Sequence, residues 1–380
     1  MELLEAIKVV IVTMPDGSEE LVECPLNLVC ALTIVKGVSV ATQLDSLSKV
    51  SLDEYQRAVG LTRFVSSPRA PQAVQIDVLR VTRDSKYAVQ IQELISDHSQ
   101  AATESIKGHV LALSLNSFGC RVVQKVIEAA PIETVLSLIH PELTDRVVEC
   151  ALDVNGNHVI QKLVDILPSQ DCQFIVDAIL ANEFLLTRLG SHCYGCRVVQ
   201  RVMSKCAPAQ TEPLLEALCS NPIAIATLAE DVFGNYVMQH AIDYGRHIDR
   251  ERICFGLASM NVVSLACSKF ASNVIEKLIR IHNKPALSSP NGLLATKLMI
   301  NSTLAPTHTG DLGIIALMKD RYGNYVVRAI IELTRREFET EVQLVKRLIL
   351  HNAPQLKKFT FSWHLVERLD KMSEAKLMGL

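Results

Sequence analysis

A pentapeptide with one template recurs six times along the chain. Its third and fourth residues are always apolar, its first is Cys, Asn or Ser, and its fifth is usually Gln. The copies are Cys120-Arg-Val-Val-Gln124, Asn157-His-Val-Ile-Gln161, Cys196-Arg-Val-Val-Gln200, Asn235-Tyr-Val-Met-Gln239, Ser272-Asn-Val-Ile-Glu276 and Asn324-Tyr-Val-Val-Arg328, and successive copies begin 37, 39, 39, 37 and 52 residues apart. A unit of about 38 residues is too small to bury an apolar face alone, whereas stacked units share one core. The spacing therefore predicts an all-α fold, an α-solenoid of helical repeats that forms a curved array with terminal caps.

The residue four positions before each pentapeptide indicates where a helix begins. These residues are Asn116, Asp153, His192, Asp231, Ser268 and Asp320. Five of the six are residue types that accept hydrogen bonds from the free N–H groups at a helix start. We therefore expect each pentapeptide to occupy the first two turns of a helix. Positions three and four then face the core, and positions one and five lie one turn apart on the opposite face.

The repeats divide the chain into an array at residues 76–375 and a preceding segment at residues 1–75. A weaker copy, Lys86-Tyr-Ala-Val-Gln90, extends the array toward its N-terminal end. The 52-residue interval predicts an exposed loop insertion at about residues 282–311, with a helix near Leu293–Ile300, and residues 340–375 are expected to form a C-terminal cap. Residues 1–75 are expected to be an N-terminal cap or degenerate repeats, and within them Ile7–Met14 fits either a strand or a buried helix.

Function classes other than binding have little support in the sequence. The first residues lack the basic segment of a secretory signal, and no apolar stretch approaches 18 residues, so we expect no membrane partner. The 11 cysteines lie mostly in apolar patterns, which indicates reduced thiols in a cytosolic or nuclear protein. Cys193 and Cys196 form a Cys-x-x-Cys pair beside His192, but Cys196 occupies position one of a repeat and no second ligand pair lies nearby. Because phosphate loops and nucleophile motifs are missing too, we expect no enzyme activity, no metal and no cofactor.

The net charge of −3 gives no general indication of nucleic-acid binding. A local indication comes from position six of the repeats, which holds Lys125, Lys162, Arg201, His240, Lys277 and Ala329. Four cations in one register predict a basic stripe that follows a phosphate backbone.

The polar positions of the pentapeptide suit a planar polar ligand. Positions one and five offer a short and a longer hydrogen-bonding group, and position two is Arg, His, Tyr or Asn, which are mostly flat groups. The polar pair can bond the edge of a nucleobase while the flat group stacks on its face, so the pattern predicts single-stranded RNA as the ligand. The alternative is a helical scaffold that binds peptides, in which the exposed positions need not repeat the same residue types.

The repeats resemble those of the Pumilio (PUF) family of RNA-binding proteins over about residues 75–375. The resemblance extends to Ile106-Lys-Gly-His-Val-Leu111, Met318-Lys-Asp-Arg-Tyr-Gly323 and Lys357-Lys-Phe-Thr-Phe361, and the order of pentapeptide types matches the third to eighth repeats of that family. It implies that each repeat reads one base: Cys or Ser with Gln pairs with adenine, Asn with Gln pairs with uracil, and Ser with Glu pairs with guanine. Because RNA runs antiparallel to the protein in that family, the resemblance implies the core element 5′-UGUAUA-3′.

The expected RNA-binding residues are those at positions one, two and five of each repeat. Arg328 stands where the family has Gln, and because it offers only donors it would contact a uracil carbonyl or turn toward a phosphate. In the weaker repeat Lys86 replaces the first-position amide, so only Tyr87 and Gln90 are expected to contribute. The full set is Tyr87, Gln90, Cys120, Arg121, Gln124, Asn157, His158, Gln161, Cys196, Arg197, Gln200, Asn235, Tyr236, Gln239, Ser272, Asn273, Glu276, Asn324, Tyr325 and Arg328.

The resemblance implies a function in post-transcriptional regulation. We expect the protein to bind the 3′ untranslated regions of mRNA in the cytoplasm, as a monomer, and to repress translation or promote mRNA decay. A deadenylase or other repressor proteins are the implied partners. Two alternatives stay open: the helical scaffold for protein interactions, and a Pumilio-like nucleolar protein that binds RNA with little sequence selectivity.

Overall fold

The computed structural model describes residues 7–13, 19–25, 40–41, 76–96, 99–308 and 310–377, and within these ranges the side chains from residue 76 to residue 371 except Glu183. The chain divides into two compact units, Met1–Gln72 and Ala73–Leu380. All six pentapeptides lie in the second unit.

The described residues of the first unit form a three-stranded antiparallel sheet. Its strands are β1 Ile7–Thr13, β2 Glu19–Pro25 and β3 Val40–Ala41, in the order β2-β1-β3. The register places Ile7 opposite Pro25 and Thr13 opposite Glu19. β1 is rich in Ile and Val, whose branched side chains favour extended backbone. The strand alternative therefore holds for Ile7–Thr13, and the predicted all-α solenoid describes the second unit. The expectation that residues 1–75 are a cap or degenerate repeats stays a prediction, because most of them lie outside the described residues.

The second unit is built from helices. Its first half contains α1 Val78–Val81, α2 Ser85–Ile95, α3 Ser99–Ile106, α4 Val110–Ser114, α5 Gly119–Ala129, α6 Ile132–Leu138, α7 His140–Leu143, α8 Val147–Leu152, α9 Gly156–Ile166, α10 Gln173–Ile179, α11 Glu183–Gly190 and α12 Gly195–Lys205. Its second half contains α13 Pro208–Cys219, α14 Pro222–Glu230, α15 Gly234–Tyr244, α16 His247–Ala258, α17 Val262–Ala266, α18 Ala271–His282, α19 Pro290–Ser302, α20 Gly313–Lys319, α21 Gly323–Ile331, α22 Glu339–His351, α23 Ala353–Leu356 and α24 Thr360–Leu377. Short 3-10 helices lie at Thr144–Arg146, Ser169–Cys172, Pro285–Leu287 and Arg336–Phe338. No helix in the described ranges is both long and apolar enough to cross a membrane.

Six of these helices, which we call the motif helices, carry the pentapeptides. They are α5, α9, α12, α15, α18 and α21, and each contacts the next, so that they form one continuous row. α2, which carries the weaker copy, contacts α5 and begins this row. The row confirms the predicted solenoid, and it brings the same position of successive pentapeptides next to each other.

Positions three and four of the pentapeptides belong to a core that continues through the repeats. All twelve side chains are at most 1% exposed. Burying a Val or Ile side chain stabilises a fold by about 1.5–3 kcal/mol relative to leaving it in water. The prediction that these two positions face the core is confirmed, and they contribute much of the stability of each repeat.

Most motif helices begin in close contact with the preceding helix at a glycine just before position one. A Cβ atom at Gly119 would lie 2.6 Å from the carbonyl oxygen of Leu113, and one at Gly234 would lie 2.6 Å from that of Leu228. No other residue type allows backbones to come this close. The contact explains why a small residue precedes position one, glycine in five repeats and Ala271 in the sixth. It also means that the start of the motif helix is covered by its neighbour.

The insertion between the last two motif helices is mostly helical. α19 is capped by Ser289, whose Oγ accepts a hydrogen bond from Gly292 N at 3.0 Å, and the helix packs against α16. Its Thr296 Oγ1 lies 2.7 Å from Nδ1 of the buried His282 at the end of α18. The helix expected near Leu293–Ile300 is therefore present and longer than expected, whereas much of the insertion is packed and is not an exposed loop.

The last three helices close the array. α22 and α24 contain the expected helical segments Val342–Leu350 and Leu365–Leu369, and they pack against α20 and α21. Val345, Ile349 and Val366 are buried. These apolar side chains cover the end of the repeat core, as the prediction of a C-terminal cap requires.

Candidate nucleic-acid interface

The same kind of side-chain cap begins every motif helix. Asp231 Oδ1 accepts hydrogen bonds from Phe233 N at 2.8 Å and from Gly234 N at 2.7 Å. The equivalent residues Asn116, Asp153, Ser268 and Asp320 make the same pair of bonds. His192 does so through Nδ1 at 3.3 and 3.2 Å, which requires a neutral ring with a lone pair on that nitrogen. The predicted helix starts are confirmed, and His192, which is not a usual capping residue, takes the same role.

Positions one and five bond each other in two of the repeats. Gln161 Nε2 donates to Asn157 Oδ1 at 2.9 Å, and Gln239 Nε2 donates to Asn235 Oδ1 at 3.0 Å. The Asn235 amide is itself fixed, because its Nδ2 donates to two carbonyl oxygens at the helix start, both at 3.0 Å. The two positions therefore share one face, as predicted, and the Gln carbonyl oxygen is left to accept a bond from a ligand.

Position one lies deeper than expected. Cys120, Asn157, Cys196, Asn235 and Ser272 are each 5% exposed or less, and Asn324 is half-buried. The expectation that this position lies on the face opposite the core is wrong in this respect, because the short side chain turns back onto carbonyl groups at the start of its own helix, as Cys196 and Asn235 do. Position one therefore forms the base of the surface, and positions two and five form its accessible part.

Position five is accessible in most repeats. Gln124, Gln161, Gln239 and Glu276 are half-buried, and Gln90 and Arg328 are exposed. Gln200 is 7% exposed, and its Nε2 has no hydrogen-bond partner among the described residues. A buried donor without a partner costs about 1–3 kcal/mol. An acceptor on a ligand would remove that penalty.

All six side chains at position two are exposed. They are Arg121, His158, Arg197, Tyr236, Asn273 and Tyr325. Tyr236 and Tyr325 are 49% and 51% exposed, so each leaves a large part of an aromatic ring in water. The row therefore offers flat groups to solvent at the spacing of the repeats.

The weaker repeat differs at the same position. Tyr87 is half-buried, the Arg80 guanidinium lies 4.4 Å from its ring centroid, and its hydroxyl accepts a hydrogen bond from Asp77 N at 3.1 Å. This ring already has a partner within the chain, whereas Gln90 on the next turn is exposed.

The predicted basic stripe at position six is a ladder of ion pairs between neighbouring motif helices. Lys162 lies 3.9 Å from Glu128, Arg201 lies 2.9 Å from Asp165, and Lys277 pairs with Asp243. Each acid occupies position nine of the preceding repeat. The four cations do share one register, but the prediction of a basic stripe did not include the acids on the adjacent helices that pair with three of them. Lys125 has no acid at the matching place, where α2 holds Leu94.

The junction between α18 and α21 breaks the pattern of this ion-pair ladder. Position nine of α18 is Arg280 in place of an acid, and position six of α21 is Ala329 in place of a cation, so the ion pair of the ladder cannot form there. Arg280 Nε instead donates to Glu276 Oε1 at 2.8 Å, and its Nη1 donates to Glu332 Oε2 at 3.1 Å. Glu332 Oε1 also accepts from Arg328 Nε and from Arg368 Nη1, both at 3.1 Å.

Glu332 is the centre of this network. Burial raises the pKa of its carboxyl, but hydrogen bonds from Arg328, Arg280 and Arg368 outweigh burial and hold the pKa below its usual value. The carboxylate is therefore ionised near neutral pH. The sequence prediction included Glu276 and Arg328 but missed Arg280 and Glu332, although each lies four residues after one of them, the spacing of helical ion pairs.

The Cys-x-x-Cys pair belongs to the start of α12. Cys196 Sγ donates to Cys193 O at 3.6 Å, and burial raises the pKa of the Cys196 thiol. A protonated buried thiol is a poor nucleophile and a poor metal ligand. Among the residues that the structure describes, no group of three or more His, Cys, Asp or Glu side chains could hold a metal ion.

A family model for the Pumilio-family RNA binding repeat matches residues 109–140, 146–180, 187–219, 224–255, 261–281 and 313–337. Each matched segment contains one of the six pentapeptides. The chain belongs to the Pumilio family. Membership of a family of RNA-binding repeats also confirms the expectation that the chain is not an enzyme.

Relatives and solved structures agree with this assignment to the Pumilio family. A Pumilio domain-containing protein of Schizosaccharomyces pombe is 30% identical over 281 residues, which are 72% of this chain and 38% of that protein. Fem-3 mRNA-binding factor 2 of Caenorhabditis elegans is 28% identical over 275 residues, 68% of this chain and 41% of that protein. The chain therefore spans less than half the length of these two relatives.

Two solved Pumilio-type structures match most of the chain. PUF-8 in complex with PBE-RNA has a TM-score of 0.65 at 26% identity and covers 84% of this chain and 86% of its own. The Puf3 RNA binding domain bound to a Cox17 RNA 3′ UTR recognition sequence has a TM-score of 0.60 at 26% identity and covers 77% and 83%. The fold is therefore that of a Pumilio-type helical repeat solenoid.

Proposed function

We propose that this Pumilio-family chain binds single-stranded RNA with sequence selectivity, one base to each motif helix. The observation that supports this most strongly is that the same arrangement of side chains repeats along the row of motif helices. Each motif helix carries a polar pair at positions one and five, beside an exposed side chain at position two. A scaffold for peptides does not require that arrangement to repeat on six successive helices.

The residue types at positions one and five suggest which base each repeat reads. Asn with Gln can both donate and accept, as the edge of uracil requires, whereas an ionised Glu276 only accepts, which suits the N1–H and N2–H donors of guanine. The family code implied by the pentapeptides assigns Cys120 and Cys196, each with Gln, to adenine. Read from Asn324 back to Cys120, the proposed element is 5′-UGUAUA-3′.

Arg328 makes the first base an exception. Its Nε is held by Glu332, so the guanidinium presents its remaining N–H groups to a ligand. These donors can contact a uracil carbonyl or a phosphate, but they cannot accept the N3–H of uracil. We therefore propose weaker selectivity at the first base than at the bases read by Asn with Gln.

Stacking and phosphate contacts supply the rest of the affinity in this proposal. A base stacked on an aromatic side chain gains about 1–3 kcal/mol. Because the ion-pair ladder neutralises Lys162, Arg201 and Lys277, contacts to phosphate would fall mainly to Lys125 and to the position-two residues Arg121 and Arg197. The salt dependence of binding should then correspond to only a few phosphates.

In the cell, the proposed target is the 3′ untranslated region of mRNA, and the proposed result is repressed translation or faster decay. One relative is named an mRNA-binding factor, and one similar structure is bound to a 3′ UTR recognition sequence. A deadenylase or other repressor as partner, a cytoplasmic location and a monomeric state belong to this proposal. Cell fractionation tests the cytoplasmic location, and sedimentation tests the monomeric state.

Selection from a random RNA pool with the full chain tests the proposed function. We expect enrichment of UGUAUA-like sequences, with guanine opposite Glu276. The double variant Ser272→Asn/Glu276→Gln should then prefer uracil at the second base, while the reciprocal variant Asn235→Ser/Gln239→Glu should prefer guanine at the third base only. An unchanged ranking in both variants would overturn the base assignment, and recovery of no RNA would favour the peptide scaffold.

A further inference from the structure

We propose that Arg280 and Glu332 are positioning residues for the recognition of guanine. In this arrangement Glu332 holds Arg280, and Arg280 holds the Glu276 carboxylate in the orientation that accepts the base. The inference rests on the proposed function, in which Glu276 reads the second base.

The hydrogen bond from Arg280 orients the Glu276 carboxylate and leaves hydrogen-bond acceptor sites on it for a ligand. Arg280 Nε donates at 2.8 Å to Oε1, which is one of the two carboxylate oxygens. An ionised carboxylate offers about four acceptor sites on its two oxygens. One hydrogen bond from Arg280 therefore restricts the side chain and still leaves acceptors for the two N–H donors of guanine.

Arg280 is itself held at its other end. Its Nη1 donates to Glu332 Oε2 at 3.1 Å, and Glu332 is in turn bonded by Arg328 at the end of α21 and by Arg368 of α24. An isolated exposed ion pair four residues apart on a helix contributes only about 0.3–0.5 kcal/mol, so Arg280 alone would sample several rotamers. The contact with Glu332 selects the rotamer that reaches Glu276.

The charges at position nine agree with this role. The six repeats have Glu128, Asp165, Ser204, Asp243, Arg280 and Glu332 at that position. The one cation lies in the one repeat whose position five is a carboxylate. A carboxylate facing RNA is repelled by the phosphates, and a cation on the next turn offsets that repulsion.

Selectivity at the second base gives a readout that a purely structural role would not change. The affinities of the full chain for UGUAUA and for UAUAUA RNA are measured for wild type, Arg280→Gln and Glu332→Gln. We expect the preference for guanine to fall about two- to fivefold in each variant, the size of one exposed ion pair. The double variant should fall no further than Arg280→Gln, because Glu332 acts through Arg280.

Asp243→Asn is the matched control. Asp243 also occupies position nine and pairs with a cation on a neighbouring motif helix, but that cation, Lys277, does not bond Glu276. This variant should leave the ratio of the two affinities unchanged. Selectivity at the third base should be unchanged in all variants, and circular dichroism should show that each variant keeps the helical fold.

The possible outcomes separate the two proposals. A wild-type chain without preference for guanine would overturn both. A wild-type preference that survives Arg280→Gln and Glu332→Gln overturns the positioning role and leaves the proposed function standing. An equal loss in Asp243→Asn, or additive losses in the double variant, would also overturn the positioning role, since the effect would then be a general change of charge.

Discussion

The buried His282 should make the stability of the repeat array depend on pH. His282 is the last residue of α18, and its ring is hydrogen-bonded to Thr296 of the insertion helix α19. Burial, with a smaller contribution from the charge of Arg250, lowers the pKa of His282 from its ordinary 6.5 to about 4. At pH values between these two, the ring is neutral in the folded protein and protonated in the unfolded chain.

The sign of the effect follows from which state binds the proton first. Because the unfolded chain does, the free energy of unfolding decreases as the pH falls from about 6.5 to about 4, and the contribution is lost below that range. The difference between the two pKa values corresponds to about 3 kcal/mol, at about 1.4 kcal/mol per unit. That is a large part of the 5–15 kcal/mol that is typical of a whole domain.

Urea unfolding at several pH values between about 7.5 and 4.5 measures this contribution. The variant His282→Gln cannot titrate at this site, so its stability should approach or pass that of the wild type as the pH falls, while all other groups titrate in both proteins. If the difference in the free energy of unfolding between wild type and His282→Gln is independent of pH, the reasoning from burial is refuted.

Three further predictions concern the motif helices. Tyr236→Ala should weaken binding to UGUAUA RNA about ten- to a hundredfold in fluorescence anisotropy, because the stacking of one base is lost. Tyr244→Ala on the same helix is the control and should leave the affinity unchanged. Equal losses of affinity in the two variants would contradict stacking on Tyr236. Asp231→Ala should lower the free energy of unfolding by about 1 kcal/mol through loss of the helix cap, against no change for its neighbour Glu230→Ala. Arg328→Gln should raise the preference for uracil over cytosine at the first base about fivefold, the value of about one hydrogen bond; an unchanged ratio would show that Arg328 already reads this base.

The parts of the structure that the sequence predicted are those that lie within one repeat. Six copies of an apolar pair identified the buried positions, and the residues four positions earlier identified the helix starts. A helix start was also predicted at His192, because the other five repeats have a capping residue at the same position. The helix in the insertion was also predictable, since Ser289 and Pro290 are typical first residues of a helix.

The parts that the sequence did not predict depend on contacts between repeats. Position one is buried in five of the six repeats, and the pattern of a single helix does not show how closely a neighbouring helix approaches its start, as at Gly119 and Gly234. The acids that pair with position six lie 34 or 36 residues away, too far to be found from spacing within a helix. In the first unit, the short apolar segment Ile7–Met14 was compatible with two structures, and only pairing with Glu19–Pro25 distinguishes them.

The ion-pair ladder also limits how freely repeats could be exchanged. A motif helix moved to a new place in an engineered array would keep its ion pair only where position nine of its new neighbour is an acid, as at Glu128, Asp165 and Asp243. At the last junction, Arg280 at position nine cannot pair with a position-six cation, and Ala329 at position six cannot pair with a position-nine acid. The Ser272 and Asn324 repeats should therefore be transplanted together, as a single cassette.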